Sequence, residues 1–378
     1  MTTATTIGVT PGLLPEGLRD RLPPEAEAAA TLVRTLTGVF ASFGYERVSP
    51  PLMEYESSLA GGGGVRELLR FTDPVSQHSL ALRSDMTGQV GRIAVTRLGQ
   101  AARPLRLSYA GPVLRVRGDQ LSPERERIQA GAELIGDDGE AAAHEIMAVA
   151  IEALRAAGVA ALSIDITMPT MVSDLAASGW DMGRATLAQV QALLDGKDAG
   201  GLVALGAGAF VPLINAAGPA DVALARLLAL PLLPSTVAGR LSRIVRLVAG
   251  LDGVSVTLDP TERHGFEYQT WIGFSLFGAG ISGEVGRGGA YALGTGEAAI
   301  GFSLYVDGLV DAGLGQRAQR RILLPPGTGA AIAARLRSEG WATVEAFTGG
   351  LDPRAYGCSH MLVEDLPHAV DGDGQKED

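Results

Sequence analysis

Between Pro23 and Phe43, the apolar residues Ala29, Leu32, Val33, Leu36, Val39, Phe40 and Phe43 fall on one helical stripe behind a proline pair suited to a helix start. The spacing predicts an amphipathic helix that stops at Gly44. Residues 45–53 then read as extended, because Pro50-Pro51 forbids helix and withholds ladder donors, which suits an edge or interface strand. Residues 69–83 alternate around a turn near Asp73-Pro74, and Thr87 is placed to cap a helix carrying Val90, Ile93, Ala94 and Leu98. Strands are expected at 105–109, 113–117 and 128–135. A helix follows from about 139 to 157, with Ala143, Ile146, Met147, Ala150 and Leu154 on its buried face, and then a strand through Leu162, Ile164 and Ile166. Strand runs joined by short turns point to a largely antiparallel sheet backed by helices, not to a βαβ repeat.

The pattern changes at 169–250, where Leu, Ala and Val dominate and the breaks fall at Gly or Pro, so an all-helical insertion is expected. Strands resume at 254–258, 268–277 and 282–287, and 298–309 reads as a helix packed on the sheet. From Arg320 the pattern is that of a small α/β unit. The expected organisation is a core in two parts, 1–168 and 251–318, interrupted by the insertion, then a C-terminal unit at 319–370 and a polar tail at 371–378 expected to be disordered.

Composition narrows the function. With 378 residues and 46% hydrophobic positions the chain can bury a large core, yet no apolar run reaches the ~18 residues of a bilayer span. The first residues lack a basic segment followed by an apolar one, so secretion is not expected. The one cysteine, Cys358, cannot form an internal disulfide, which fits a reducing cytoplasm and a small buried side chain. A net charge of −11 and a pI near 5.0 argue against a nucleic-acid face, although Arg103, Arg106, Arg115, Arg117, Arg125 and Arg127 cluster in sequence. That cluster is suited to a phosphate, a carboxylate or a partner subunit. The five histidines show no ligand-like spacing, and neither a metal nor a cofactor is expected. The Gly-rich run at 61–64 lacks a following Lys-Ser/Thr and is not a phosphate loop.

Chemistry concentrates between Leu82 and Glu133. Arg83-Ser84-Asp85-Met86-Thr87 closes one strand, Gly111-Pro112-Val113-Leu114-Arg115 opens a hairpin, and Gln129-Ala130-Gly131-Ala132-Glu133 returns it. Two acids, a hydroxyl, an amide and a guanidinium then meet from three strand ends. Such a set suits a zwitterion, with carboxylates for an ammonium and a guanidinium for a carboxylate.

These blocks, with Gly17-Leu18-Arg19-Asp20-Arg21-Leu22-Pro23 and Gly44-Tyr45-Glu46-Arg47-Val48-Ser49-Pro50-Pro51-Leu52-Met53-Glu54, resemble the histidyl-tRNA synthetase catalytic core in order and spacing over about 14–310. They resemble more closely its paralogous family, the ATP phosphoribosyltransferase regulatory subunits. The resemblance implies an α+β fold: a class II aminoacyl-tRNA synthetase-like antiparallel sheet of six or more strands flanked by helices, with a helical insertion and a small C-terminal α/β remnant. It implies a homodimer through the 44–54 block, within a hetero-octamer with a short-form catalytic subunit. It also implies histidine as ligand, held by Asp85, Thr87, Arg115, Gln129, Glu133 and Tyr268, with Met86, His264 and Gln269 as further candidates.

Asp85 is shorter than the glutamate usual in the synthetases. The third class II motif, Gly-x-x-x-Gly-x-Glu-Arg, becomes Gly301-Phe302-Ser303-Leu304-Tyr305-Val306-Asp307-Gly308, so the arginine that grips the nucleotide's γ-phosphate falls on Gly308. In the second motif the expected acid is Arg117 and the adenine-stacking aromatic is Arg127. Losing one preorganised charge at a triphosphate typically costs ~10²–10³ in rate, so adenylation is not expected. Fewer than sixty residues follow Arg320, too few for the synthetases' larger anticodon-binding domain. A non-catalytic regulatory subunit with feedback inhibition by histidine accounts for all three features. A divergent histidyl-tRNA synthetase and a synthetase-like amino-acid-binding module are the alternatives.

Overall fold

Helix α1 (Glu25–Ser42) buries Ala28, Ala29, Leu32, Leu36 and Phe40 on one face, carries Glu25 and Glu27 in its first turn, and is followed by Gly44 at φ +82°. Its stripe lies on the main sheet, where the Phe40 and Phe302 rings meet edge to face with centroids 5.5 Å apart. The computed structural model describes residues 12–60, 68–118, 123–263, 265 and 268–370. The glycine run at 61–64, His264 and the tail at 371–378 lie outside the described residues.

The main sheet comprises β1 (Glu46–Arg47), β2 (Leu105–Leu114), β3 (Glu126–Ile135), β4 (Ser163–Thr167), β5 (Gly218–Pro219), β6 (Ser255–Asp259), β7 (Gln269–Phe277), β8 (Gly286–Ala292) and β9 (Ala298–Tyr305). Among the described residues these nine strands run in the order β1-β2-β3-β9-β8-β7-β4-β6-β5. The succession from β2 through β4 is antiparallel throughout, and the parallel pairs β1–β2 and β4–β6 flank it. This largely antiparallel sheet with helices packed on it is the α+β arrangement expected from the sequence.

Side-chain alternation gives the sheet two different faces. Ala130, Ala132 and Leu134 of β3, with Ile300, Phe302 and Leu304 of β9, join the large core under α1 and the helix Glu140–Ala156. Gln129, Glu133 and Ile135, with Ala299 and Ser303, point the other way, toward helix α2 (Thr87–Thr96). The chemistry sits on that second face.

Three expectations need correction. Residues 298–309 are not one helix: β9 runs to Tyr305 and only Val306–Asp311 is helical. The Ala-rich start favours helix locally, but Ala-Ala-Ile-Gly-Phe-Ser-Leu-Tyr alternates, and pairing with both β3 and β8 prevails. The strands expected at 105–109 and 113–117 are one strand, β2, with Pro112 in register opposite Ile128. Proline is tolerated because it faces the outer edge of β2, where its carbonyl accepts Arg83 Nε at 2.8 Å and no ladder donor toward β3 is lost. The strand expected at 282–287 lies at Gly286–Ala292.

Between β4 and β6 the chain forms a series of helices from Met171–Ala177 to Ser235–Ala249, interrupted by the two-residue β5 that pairs with β6. Thr186 and Gln189 build a reciprocal capping box at the start of Leu187–Asp195. A small three-stranded sheet orders Met53–Tyr55, Ser79–Leu82 and Arg70–Thr72 side by side. The chain divides into two compact units at Gln316/Arg317. The second carries a four-stranded sheet in the order Ala342–Glu345, Arg321–Leu324, His360–Val363, Leu366–Ala369, with the helix Ala330–Ser338 covering Ile322, Leu324, Trp341 and Leu362, and with Cys358 buried. Among the described residues no helix is long and apolar enough to cross a membrane.

Candidate functional site

Strands β3 and β9 pair Gln129 with Tyr305, Gly131 with Ser303 and Glu133 with Gly301. All of these but Gly131 line a cavity of about 300 Å³ that also takes Asp85, Thr87, Arg115, Tyr268 and Gln269. Two glycines clear the space. A methyl group at Gly301 would overlap the Glu133 carboxylate, and one at Gly131 would overlap the Tyr109 ring and the Phe302 carbonyl. Gly301→Ala is expected to push Glu133 aside and cost ~1–3 kcal/mol of stability, measurable by urea unfolding.

Gln129 is the hub. Its Nε2 donates to Asp85 Oδ2 at 2.9 Å and to Ser303 Oγ at 2.6 Å, while its Oε1 accepts the Met86 amide at 3.0 Å. An amide with both ends engaged cannot rotate without losing bonds, so it fixes Asp85 against the strand face. Asp85 Oδ1 accepts the Thr87 amide at 2.8 Å. Thr87, expected as the cap of α2, is instead its first residue, and Asp85 supplies the capping carboxylate.

Glu133 is fully enclosed. Tyr109 OH donates to its Oε1 at 3.1 Å and Tyr291 OH to its Oε2 at 2.8 Å. Burial pushes the Glu133 carboxyl up to about 8 and the neighbouring Asp85 charge adds to this, against the lowering effect of its hydrogen bonds to Tyr291, Thr87 and Tyr109. Burial also raises the Tyr109 and Tyr291 phenols well above their ordinary range, so both keep the protons they donate. The result is a buried acid, held in one orientation, that a neighbouring cation would help to ionise.

Seven of the expected site residues, Asp85, Thr87, Arg115, Gln129, Glu133, Tyr268 and Gln269, line this one cavity. Met86 does not: its side chain is buried with Val90 and Tyr109, and only its amide serves the site. His264 lies outside the described residues. Gln269 donates from Nε2 to Gly288 O at 2.9 Å while its buried Oε1 has no protein partner, with Gly289 leaving room beside it. Tyr109, Tyr291, Ser303, Tyr305, Arg127 and Arg287 were not among the expected residues. Period-two counting from Glu133 and Gly301 is the signal that finds Ser303 and Tyr305, once 298–305 is read as strand.

The nucleotide side differs. Tyr305, at the third motif's second glycine, puts a ring into the cavity wall, and the Arg127 guanidinium lies 5.7 Å from its centroid. Gly308 presents no side chain, although only Ile281 approaches it. Asp307, at the motif's acid, pairs with Arg21 and accepts the Ile128 amide at 2.8 Å, a structural tie. The arginines clustered in sequence do not form one patch. Arg103 pairs with Glu297 and Arg106 with Glu145, Arg125 donates to the carbonyls of Arg115 and Glu16, and only Arg115 and Arg127 of the six reach the cavity.

The histidyl-tRNA synthetase family model matches residues 17–309. An ATP phosphoribosyltransferase regulatory subunit of Paramagnetospirillum magneticum is 46% identical over 367 residues, covering 93% of this chain and 96% of that protein. One of Rhodospirillum centenum is 45% identical over 363 residues, covering 92% and 94%. In fold, the chain is similar to a solved structure from Bacillus halodurans described as an ATP phosphoribosyltransferase regulatory subunit/histidyl-tRNA synthetase, with TM-score 0.78, 24% identity, and 94% and 97% of the two chains covered. It is also similar to a Nostoc histidyl-tRNA synthetase, with TM-score 0.74, 16% identity, and 94% and 92% covered.

Proposed function

This chain belongs to the ATP phosphoribosyltransferase regulatory subunits, a histidyl-tRNA synthetase-like family, and from that premise we propose that a short-form catalytic subunit depends on it for activity and that histidine acts through it as feedback inhibitor. It is a non-catalytic subunit serving histidine biosynthesis. In this reading it works in the cytoplasm as a homodimer within a hetero-octamer. Histidine occupies the β3–β9 cavity, with its ammonium toward Asp85 and Glu133 and its carboxylate toward Arg115. Occupancy shifts the assembly toward a less active state by a differential affinity of ~1–3 kcal/mol, the ordinary range of allosteric coupling.

One observation carries the reading: the cavity keeps a braced set of zwitterion-binding groups around Gln129, while Tyr305 and Gly308 stand where nucleotide machinery would be. Co-purification with a short catalytic chain, followed by a phosphoribosyl-transfer assay with and without histidine, tests it. Activity is expected only from the pair, and histidine is expected to lower it. Phosphoribosyl-ATP made by the isolated chain would overturn the assignment, and histidine-dependent ATP/pyrophosphate exchange would favour a synthetase.

Asp85→Asn and Glu133→Gln are each expected to weaken histidine by ~1–3 kcal/mol in calorimetry, the range of a charge-assisted contact. Unchanged affinity in both variants would reject this cavity as the histidine site.

A further inference from the structure

A second cavity, of about 290 Å³, adjoins the first and shares Asp85, Thr87, Tyr268 and Tyr291 with it as a common wall. Its other walls are mainly apolar. Gly88, Gly91 and Val95 contribute one face from α2, and Leu293 and Gly294 contribute the opposite face from the turn between β8 and β9.

Both faces are fixed in place. A methyl group at Gly91 would stand 2.7 Å from Leu293 Cδ2, so the glycine is what lets helix and turn approach. The turn is closed by Leu293 N donating to Glu297 O at 2.9 Å and Gly296 N donating to Leu293 O at 2.8 Å, and Arg103 holds the Glu297 carboxylate. Arg92 also lines the space, with its guanidinium held by Glu54 through Nε to Oε2 at 3.0 Å. Tyr268 and Tyr291 meet edge to face with centroids 6.3 Å apart and their planes 71° apart.

We propose that this chamber is a second binding site, for an uncharged planar aromatic molecule of about indole size. Gly88 of α2 and Gly294 of the turn bring no side chain into the chamber, while Leu293 covers Gly91, so the tyrosine rings are its bulky walls. The tyrosine pair on the shared wall offers ring edges to a π face, an interaction that a saturated ring does not return. An anion is disfavoured, because Glu54 already neutralises Arg92 and Asp85 places a carboxylate on the shared wall.

The experiment is calorimetric titration of the full chain, without histidine, using indole, cyclohexanol and benzoate as probes. Indole is expected to bind, with both other probes weaker by about tenfold or more, equal to about 1.4 kcal/mol. Val95→Phe, which fills the chamber from α2, is expected to weaken indole by about tenfold or more. If that variant does not fold, Thr295→Trp, placed at the exposed turn lining the same chamber, carries the test with the same expected loss. Three results would overturn the proposal: no indole binding, equal binding of cyclohexanol or benzoate, or undiminished indole binding in a folded blocking variant.

Discussion

Glu133→Gln is expected to flatten the pH dependence of stability and to leave the protein more stable than wild type at alkaline pH. The native Glu133 carboxyl is pushed up to about 8 by burial, whereas the unfolded chain returns it to an ordinary value near 4.5. Between those two values the folded state holds a proton that the unfolded state has released, so stability falls as pH rises across the window. Below it both states are protonated and above it both are ionised, so the contribution is constant outside. The slope approaches ~1.4 kcal/mol per pH unit for a single group, a few kcal/mol over the whole window. Urea unfolding at pH 5.5 and pH 8.5 measures it. A wild-type slope that persists unchanged in Glu133→Gln would assign the effect to another group. Glu133→Ala is a different experiment, because it removes the acceptor of the buried Tyr291 hydroxyl and one of the partners of Tyr109, and should destabilise at every pH.

Asp307→Ala is expected to cost ~3–5 kcal/mol in denaturant unfolding, the range for removing one partner of a buried ion pair. The Asp307 side chain is 9% exposed and Arg21 19%, and Arg21 Nη1 already has no protein partner. Deleting the acid strands the guanidinium and also the Ile128 amide, which lies between Arg127 and Gln129 in the strand that lines the cavity. Asp307→Asn keeps an acceptor for that amide and should lose less. The double variant Arg21→Met/Asp307→Leu, which replaces both charges by apolar groups, should be more stable than Asp307→Ala alone. A loss in Asp307→Ala no larger than that of an exposed acid would show that the pair contributes nothing to the fold.

The Glu133 and Asp307 predictions draw on different parts of the chain's record. Asp85, Thr87, Arg115, Gln129 and Glu133 were legible because they sit in short blocks of fixed order, and the cavity gathers all five. Tyr291 and Tyr109 were not, although their hydroxyls hold the Glu133 carboxyl in place, because each is a lone aromatic in its strand. An isolated tyrosine in a strand reads as core. Its hydroxyl matters only when a neighbouring strand brings an acid opposite it. Residues 298–309 failed for a related reason: alanines and a terminal short helix outweighed an alternation that only two flanking strands make decisive.

By itself the sequence determined where helices and strands had to bury apolar surface, since periodicity is a local property of the chain. It also determined which acids, amides and guanidinium were available to a zwitterion and which motif positions had lost theirs. Only the tertiary structure decided that β3 and β9 lie side by side, that Gly301 clears space for Glu133, and that two phenols enclose it. Apart from Tyr109, 24 residues from Glu133, those outcomes depend on register between segments more than 150 residues apart, such as Glu133 and Tyr291 at a separation of 158. Burial and partner together set a group's charge, and neither is a property of the residue alone.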